Sequence, residues 1–137
     1  MEVAINWWAI IVSMAVAVAL GMLWYGPLFG KVWMRESGIA MPEETPSMAK
    51  PIILSLLGAL FMAYVLAHSL VFGNSYMGTS GAASGLMGAF WNWLGFVVPV
   101  MLSFVAWEGK SWKLFFIQAG YWLALLLISG IILATWQ

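Results

Sequence analysis

Charged residues divide this chain into long apolar runs. Asp, Glu, Lys and Arg are absent from residues 3–30, 51–107 and 114–137. The charges fall in two patches: Lys31, Arg35, Glu36, Glu43, Glu44 and Lys50, then Glu108, Lys110 and Lys113, with Glu2 outside both. A helix needs about 20 mostly apolar residues to cross the hydrocarbon core, at roughly 1.5 Å per residue. The first and third runs each hold one crossing, and the middle run holds two and a turn. The pattern predicts membrane-spanning helices at residues 4–25, 52–72, 85–107 and 114–136. It predicts one all-α domain over residues 1–137, a four-transmembrane-helix bundle. Strands of a membrane barrel would alternate polar and apolar positions. Ile52-Ile53-Leu54 and Leu125-Leu126-Leu127-Ile128 do not.

Composition removes a water-soluble domain from consideration. The chain is 64% hydrophobic and 7% charged, with a mean hydropathy of +0.98; a soluble domain carries about 25% charged residues. The formal net charge is zero, so there is no broad basic surface for nucleic acid. The absence of Cys excludes disulfides, thiolate metal sites and palmitoylation. The first run has no basic residue ahead of it and is too long for a signal peptide, so a retained anchor is expected.

The five basic residues all fall in the loops after spans one and three. Basic loops stay cytoplasmic. Loops 26–51 and 108–113 are therefore expected in the cytoplasm, and both termini and the loop 73–84 outside. Tryptophan prefers the membrane–water boundary. Trp7, Trp8 and Trp136 mark the outer boundary in this frame, and Trp24, Trp33, Trp107 and Trp112 the inner one. Trp91 and Trp93 lie deeper, and Trp122 falls near mid-membrane, where packing between helices is expected of it.

Local breakers refine the spans. Gly26-Pro27-Leu28-Phe29-Gly30 should stop span one. Leu28, Phe29, Val32 and Trp33 then share one helical face, which predicts a short interfacial amphipathic helix. Pro42-Glu43-Glu44-Thr45-Pro46 reads as a polar connector, the Gly- and Ser-rich segment 73–84 as a mobile loop, and Glu108-Gly109-Lys110 as a tight turn. Pro99 removes the donor that would reach the Gly95 carbonyl, so a kink is expected in span three. Small residues recur every four positions at Ser13, Ala17 and Gly21, at Ser55, Ala59, Ala63 and Ala67, and at Ser84 and Gly88 with Asn92. Such stripes allow close helix approach, either within the chain or in a homo-oligomer, for which a dimer is favoured. Asn6-Trp7 and Trp24-x-Gly26 in span one echo Asn92-Trp93 and Trp107-x-Gly109 in span three. The echo is either a duplicated hairpin or the ordinary preference of aromatic residues for span ends.

Polar side chains inside spans are costly and often mark function. His68, Tyr64, Asn92 and Asn6 all fall in the outer half. They form either a ligand-binding outer pocket, with His68 as proton acceptor or ligand contact, or hydrogen-bonding glue between helices. Gln118, Tyr121, Glu108 and Tyr25 fall toward the inner side, as either a polar cluster for a ligand head group or interhelical bonds and a loose surface ion pair. A zinc site needs three or four ligands, and a lone His with no Cys does not supply them. No nucleophile–base pair, paired buried carboxylates or phosphate-binding loop is present, so no catalytic residue, metal or cofactor is assigned.

The string Asn6-Trp7 followed by Leu20-Gly21-Met22-Leu23-Trp24-Tyr25-Gly26-Pro27-Leu28-Phe29-Gly30-Lys31-x-Trp33 resembles the signature of the DUF1761 family. Trp107-Glu108-Gly109-Lys110 and Lys113-Leu114-Phe115-x-Ile117-Gln118-Ala119-Gly120-Tyr121 are similar too. The resemblance covers nearly the whole chain and implies a small multi-pass protein of the bacterial cytoplasmic membrane. It carries no established activity and no catalytic residues to transfer. The expected role is binding or moving a small apolar or amphiphilic molecule. The alternatives are an accessory subunit of a larger membrane complex and, last, a membrane enzyme with His68 as base.

Overall fold

Asn6 sets the first helix. Its side-chain oxygen accepts from the backbone N–H groups of Trp8 at 3.0 Å and Ala9 at 3.3 Å, which satisfies two donors the first turn leaves open. The computed structural model describes residues 4–39 and 47–136, and no strand occurs among them. Helix α1 spans Trp7–Leu23 and continues through a π-helical turn at Trp24–Leu28; α2 is Gly30–Ser37 and α3 is Ala49–Met77. Helix α4, Gly81–Asn92, passes through a second π turn, Trp93–Val97, into α5, Val98–Glu108; α6 is Trp112–Thr135. Four helices are long and apolar enough to cross a membrane: Trp7–Leu28, Ala49–Met77, Gly81–Glu108 and Trp112–Thr135. The connector at 42–46 lies outside the described residues.

One sequence expectation needs correction. The segment 73–84 is not a long loop: α3 runs on to Met77 and α4 begins at Gly81, leaving only Gly78–Ser80 between them. Gly78 at φ 64° and Gly81 at φ 77° make this abrupt reversal, in a region L side chains rarely adopt. Residues 26–30 do interrupt the first helix: Gly26, at φ −103° and ψ −106°, leaves helical geometry inside the turn Trp24–Leu28, and α2 follows it.

Helix α6 is the centre of the packing. It touches α1, α2, α3, α4 and α5, and its buried residues, from Leu114 to Ala134, are spread around its circumference. The closest approach is to α4, where Gly85 and Ala89 meet Gly130 and Ala134. A Cβ built on Gly85 would overlap the Gly130 carbonyl oxygen, and one on Gly130 would overlap that of Gly85. Lipid tails are as apolar as leucine, so helices gain little by merely hiding apolar surface from lipid; small residues let backbones touch and dispersion accumulate. On the other side, Ser13 and Ala17 of α1 and Ala59, Ala63 and Ala67 of α3 are buried. The outside stays apolar: Phe61, Trp91 and Phe96 are exposed at 65%, 61% and 74%. A surface of that kind suits lipid rather than water.

Both kinks share one device. Phe29 N–H bonds the Trp24 carbonyl at 2.9 Å, and Val98 N–H bonds the Trp93 carbonyl, each five residues back. Nearby Pro27 and Pro99 lack the N–H that a regular ladder would use. The indole of each leading tryptophan clips onto α6: Trp24 Nε1 donates to the Ile117 carbonyl at 3.0 Å, and Trp93 Nε1 to the Ala119 carbonyl at 2.8 Å. Carbonyls two residues apart face directions about 200° apart on a helix, so the two clips grip α6 from opposite sides. The structural echo between the two long helices thus pairs Trp24-x-Gly26 with Trp93-x-Gly95.

Every described charged residue lies at the α2 end. There Ser111 caps α6 by accepting from Leu114 N–H at 3.2 Å and donates its hydroxyl to Glu36 at 2.6 Å. Arg35 bridges the same carboxylate at 3.3 Å. The Ser111 hydrogen bond, more than the Arg35 and Lys113 charges, lowers the Glu36 pKa below the usual carboxylate range. A depressed carboxylate stabilises the fold above its ordinary unfolded value, about 4.3, and that stabilisation fades as pH falls through the lower folded value. Acidification through and below the ordinary glutamate value of about 4.3 should therefore loosen α2 from α6. A spin-label pair on the two helices should read the change, and Glu36→Gln should abolish its pH dependence. At the crossing, Gly130→Leu should cost at least about 1–3 kcal/mol by overpacking, read by thermal unfolding in detergent. Gly58→Ala, where nothing lies within 4 Å of the new Cβ, should be tolerated.

Candidate functional site

The short turn between α3 and α4 brings two stripes of small and polar residues face to face. Ser69, Gly73 and Met77 recur every four residues on α3, and Ser84, Gly88 and Asn92 do so on α4. Between them lies a cavity of about 520 Å³, whose lining also includes Asn74, Thr79, Ser80, Leu70, Met87 and Trp91. No charged residue lines it. Asn74 staples its mouth: its side-chain oxygen accepts from the Ser84 hydroxyl and, at 3.4 Å, from that of Thr79. Thr79 N–H bonds the Asn74 carbonyl at 3.2 Å. Asn74 Nδ2 is sealed from solvent with no partner among the described residues.

Asn92 is the deepest polar group. Its Nδ2 donates to Ser69 Oγ at 3.0 Å and to the Gly88 carbonyl at 2.8 Å. Both amide hydrogens are thereby committed, and Oδ1 remains as an acceptor. Ser69 receives one of those hydrogens and keeps its own O–H as a donor, with no other partner among the described residues. A donor and an acceptor therefore stand side by side. Asn92 also lines a second cavity of about 350 Å³, which runs beside the π turn between Phe61, Met62, Val65, Phe96, Val97 and Leu126. It is the one residue common to the polar pocket and this apolar groove.

The residues singled out for an outer site separate into three places. His68 and Tyr64 pack against each other with centroids 4.4 Å apart and ring planes tilted by 56°, and Tyr64 stacks on Trp7 at 5.8 Å. His68 Nδ1 donates to the Tyr64 carbonyl at 2.8 Å, which places the proton on Nδ1 and leaves Nε2 as the acceptor in the neutral ring. Asn92 meets Ser69, one residue on and about 100° around α3 from His68. Asn6 caps α1. Of the inner group, Tyr25 and Tyr121 pack together at 5.1 Å, and the buried Tyr121 hydroxyl donates to the Ala17 carbonyl at 2.9 Å. Gln118 is half-buried without a side-chain partner among the described residues, and Glu108 is exposed at the end of α5. Sequence reasoning singled out Asn92 but not Ser69, Asn74, Thr79 or Ser80. The matching four-residue spacing on the two sides of Gly78 was the signal that could have found the pocket.

No curated protein and no solved structure matches the chain. A family model does, over residues 8–134, and its description is a protein of unknown function. That match runs from the first turn of α1 to the last turn of α6 and takes in both π turns and the α3–α4 pocket; the chain belongs to the DUF1761 family.

Proposed function

We propose that the chain is a multi-pass protein of the bacterial cytoplasmic membrane that binds a neutral amphiphile along α3 and α4. The observation that carries this reading is the position of Asn92. It joins an uncharged pocket that carries several hydroxyl and amide side chains among apolar ones to a groove without any besides Asn92 itself, as a ligand with a polar head and an apolar body requires. The head meets Asn92 Oδ1 and the Ser69 hydroxyl, so it carries both a donor and an acceptor: a hydroxyl or an amide suits the pair. The tail follows the groove past Phe96 and Val65 toward mid-membrane. All basic residues sit at the opposite end from the pocket, so the positive-inside rule puts the pocket and both termini outside. The interfacial role expected of the residues around Trp33 falls to α2, at the cytoplasmic surface. A second reading, a structural subunit or symmetric dimer, rests on α5, which buries no residue of its own and leaves an apolar face for another chain.

Native mass spectrometry with a monoacylglycerol as probe tests the binding reading. Ser69→Ala and Asn92→Ala should each weaken retention about three- to tenfold, the worth of one hydrogen bond. Equal retention by both variants and the parent would remove the site. Orientation has its own test, since the chain lacks Cys. A single cysteine at Ser75 should react with an impermeant maleimide in intact cells, and one at Ser47 only after lysis. The reverse pattern would invert the threading.

A further inference from the structure

A larger cavity, of about 700 Å³, opens at the other end of the molecule between α1, α3 and α6. It shares no lining residue with the α3–α4 pocket or its groove. No charged residue lines it, so it suits a neutral occupant. Ser55, Gly58 and Ala59 give the α3 side little bulk, and nothing lies within 4 Å of where a Gly58 Cβ would stand.

Another side is a ladder of rings. Trp33, Tyr25, Tyr121 and Trp122 follow one another at centroid spacings of 5.2, 5.1 and 5.0 Å, and their planes turn by 63°, 54° and 67° from ring to ring. All four line the cavity. An aromatic ring carries negative charge density on its faces and positive charge density on its edge. Such a wall attracts a flat, electron-poor ring more than a saturated chain.

The polar groups of the lining are donors, and most lack a partner. Tyr121 spends its hydroxyl on the Ala17 carbonyl. The Tyr25 hydroxyl and the Trp33 and Trp122 indole N–H groups make no hydrogen bond among the described residues, and neither does the Ser55 hydroxyl. The three unpaired ring donors belong to half-buried residues, and none of those atoms is sealed inside the protein. An indole N–H can only donate. Trp122 falls near the middle of α6, away from interfacial water, and an unmatched donor in hydrocarbon is costly. The cavity therefore offers hydrogens and asks for acceptors. That differs from the site at Asn92, where the head group must bring a donor as well.

We infer that this cavity is a second, separate site, which takes a neutral quinone: a flat ring with carbonyl acceptors on an apolar tail. The ring lies against the ladder, and one carbonyl accepts from the Tyr25 hydroxyl. The tail runs along the aliphatic and Met side chains of the lining, among them Val18, Met22 and Ile52. A phospholipid acyl chain would fill the same volume but leave every donor unmatched.

The test uses the full chain in detergent and native mass spectrometry. The probes are decylubiquinone and decylbenzene, which has the ring and the tail without the carbonyls. One decylubiquinone per chain should survive activation, in clear preference to decylbenzene. Tyr25→Phe keeps the ladder and removes only the hydroxyl. It should lower quinone retention about three- to tenfold, the worth of one hydrogen bond, and leave decylbenzene unchanged. Gly58→Phe should fill the cavity and cut retention of both probes while the helical circular dichroism is unchanged. Asn92→Ala should leave quinone retention as it is, and Tyr25→Phe should leave monoacylglycerol retention as it is, which keeps the two sites distinguishable. Equal retention of the two probes, unchanged quinone retention in Tyr25→Phe, or loss of the quinone in Asn92→Ala would overturn the inference. Displacement of the quinone by equimolar phosphatidylglycerol would overturn it too, by showing a trough for an acyl chain.

Discussion

The contact of Gly85 and Ala89 with Gly130 and Ala134 is the constraint from which the rest of the arrangement follows. Among apolar tails, no solvent drives helices together, so backbone proximity has to supply the attraction. Two facing pairs of small residues bring α4 hard against α6. That proximity lets the Trp93 indole reach the Ala119 carbonyl. Helix α3 then packs on both α4 and α6, and α1 packs on α3 and α6. The long helix Gly81–Glu108 keeps its own burial near one end: Gly85 and Ala89 are buried, whereas α5 buries nothing.

The polar groups obey the same solvent. A donor left alone in hydrocarbon costs several kcal/mol, on the order of a full desolvation. Trp24, Trp93 and Tyr121 therefore donate to backbone carbonyls of other helices, which have a second lone pair to offer. These bonds tie helices that are 93, 26 and 104 residues apart in sequence. Among the polar valences left open in the described residues are Asn92 Oδ1, the Ser69 hydroxyl and the Tyr25 hydroxyl. All three line cavities.

The four long helices were legible because charge is so expensive in lipid that its absence marks a span almost by itself. Their ends were not. Gly73, Ser75, Ser80 and Ser84 look like linker residues by the standards of water, yet all but Ser80 are helical, since backbone bonds must close internally near a membrane. Pro27 and Pro99 announced disruption, but a proline does not say how the ladder heals; that depends on which carbonyl the next free N–H finds. Asn92 was legible as a polar residue in a span. Its partner was not, because a serine in a membrane helix can satisfy itself on its own backbone and carries no signal until a neighbour engages it. Tyr25 and Tyr121 do meet, whereas Gln118 and Glu108 share with them only a position along the membrane normal.

A π turn holds one more residue than the α turn it replaces. That extra residue advances everything after it by about 100° around the helix axis. In the helix Gly81–Glu108, the face that grips α6 through Gly85 and Ala89 is thus out of phase with its own continuation beyond Val97. The second half works as a differently clocked rod on the same shaft: it still touches α6 but buries no residue there. Removing a single residue between Trp93 and Val97 would barely shorten the helix, but it would turn all 11 residues of α5 back into register with α4. The surface that α5 shows to its surroundings is therefore set by one residue's worth of winding rather than by the side chains of α5 alone.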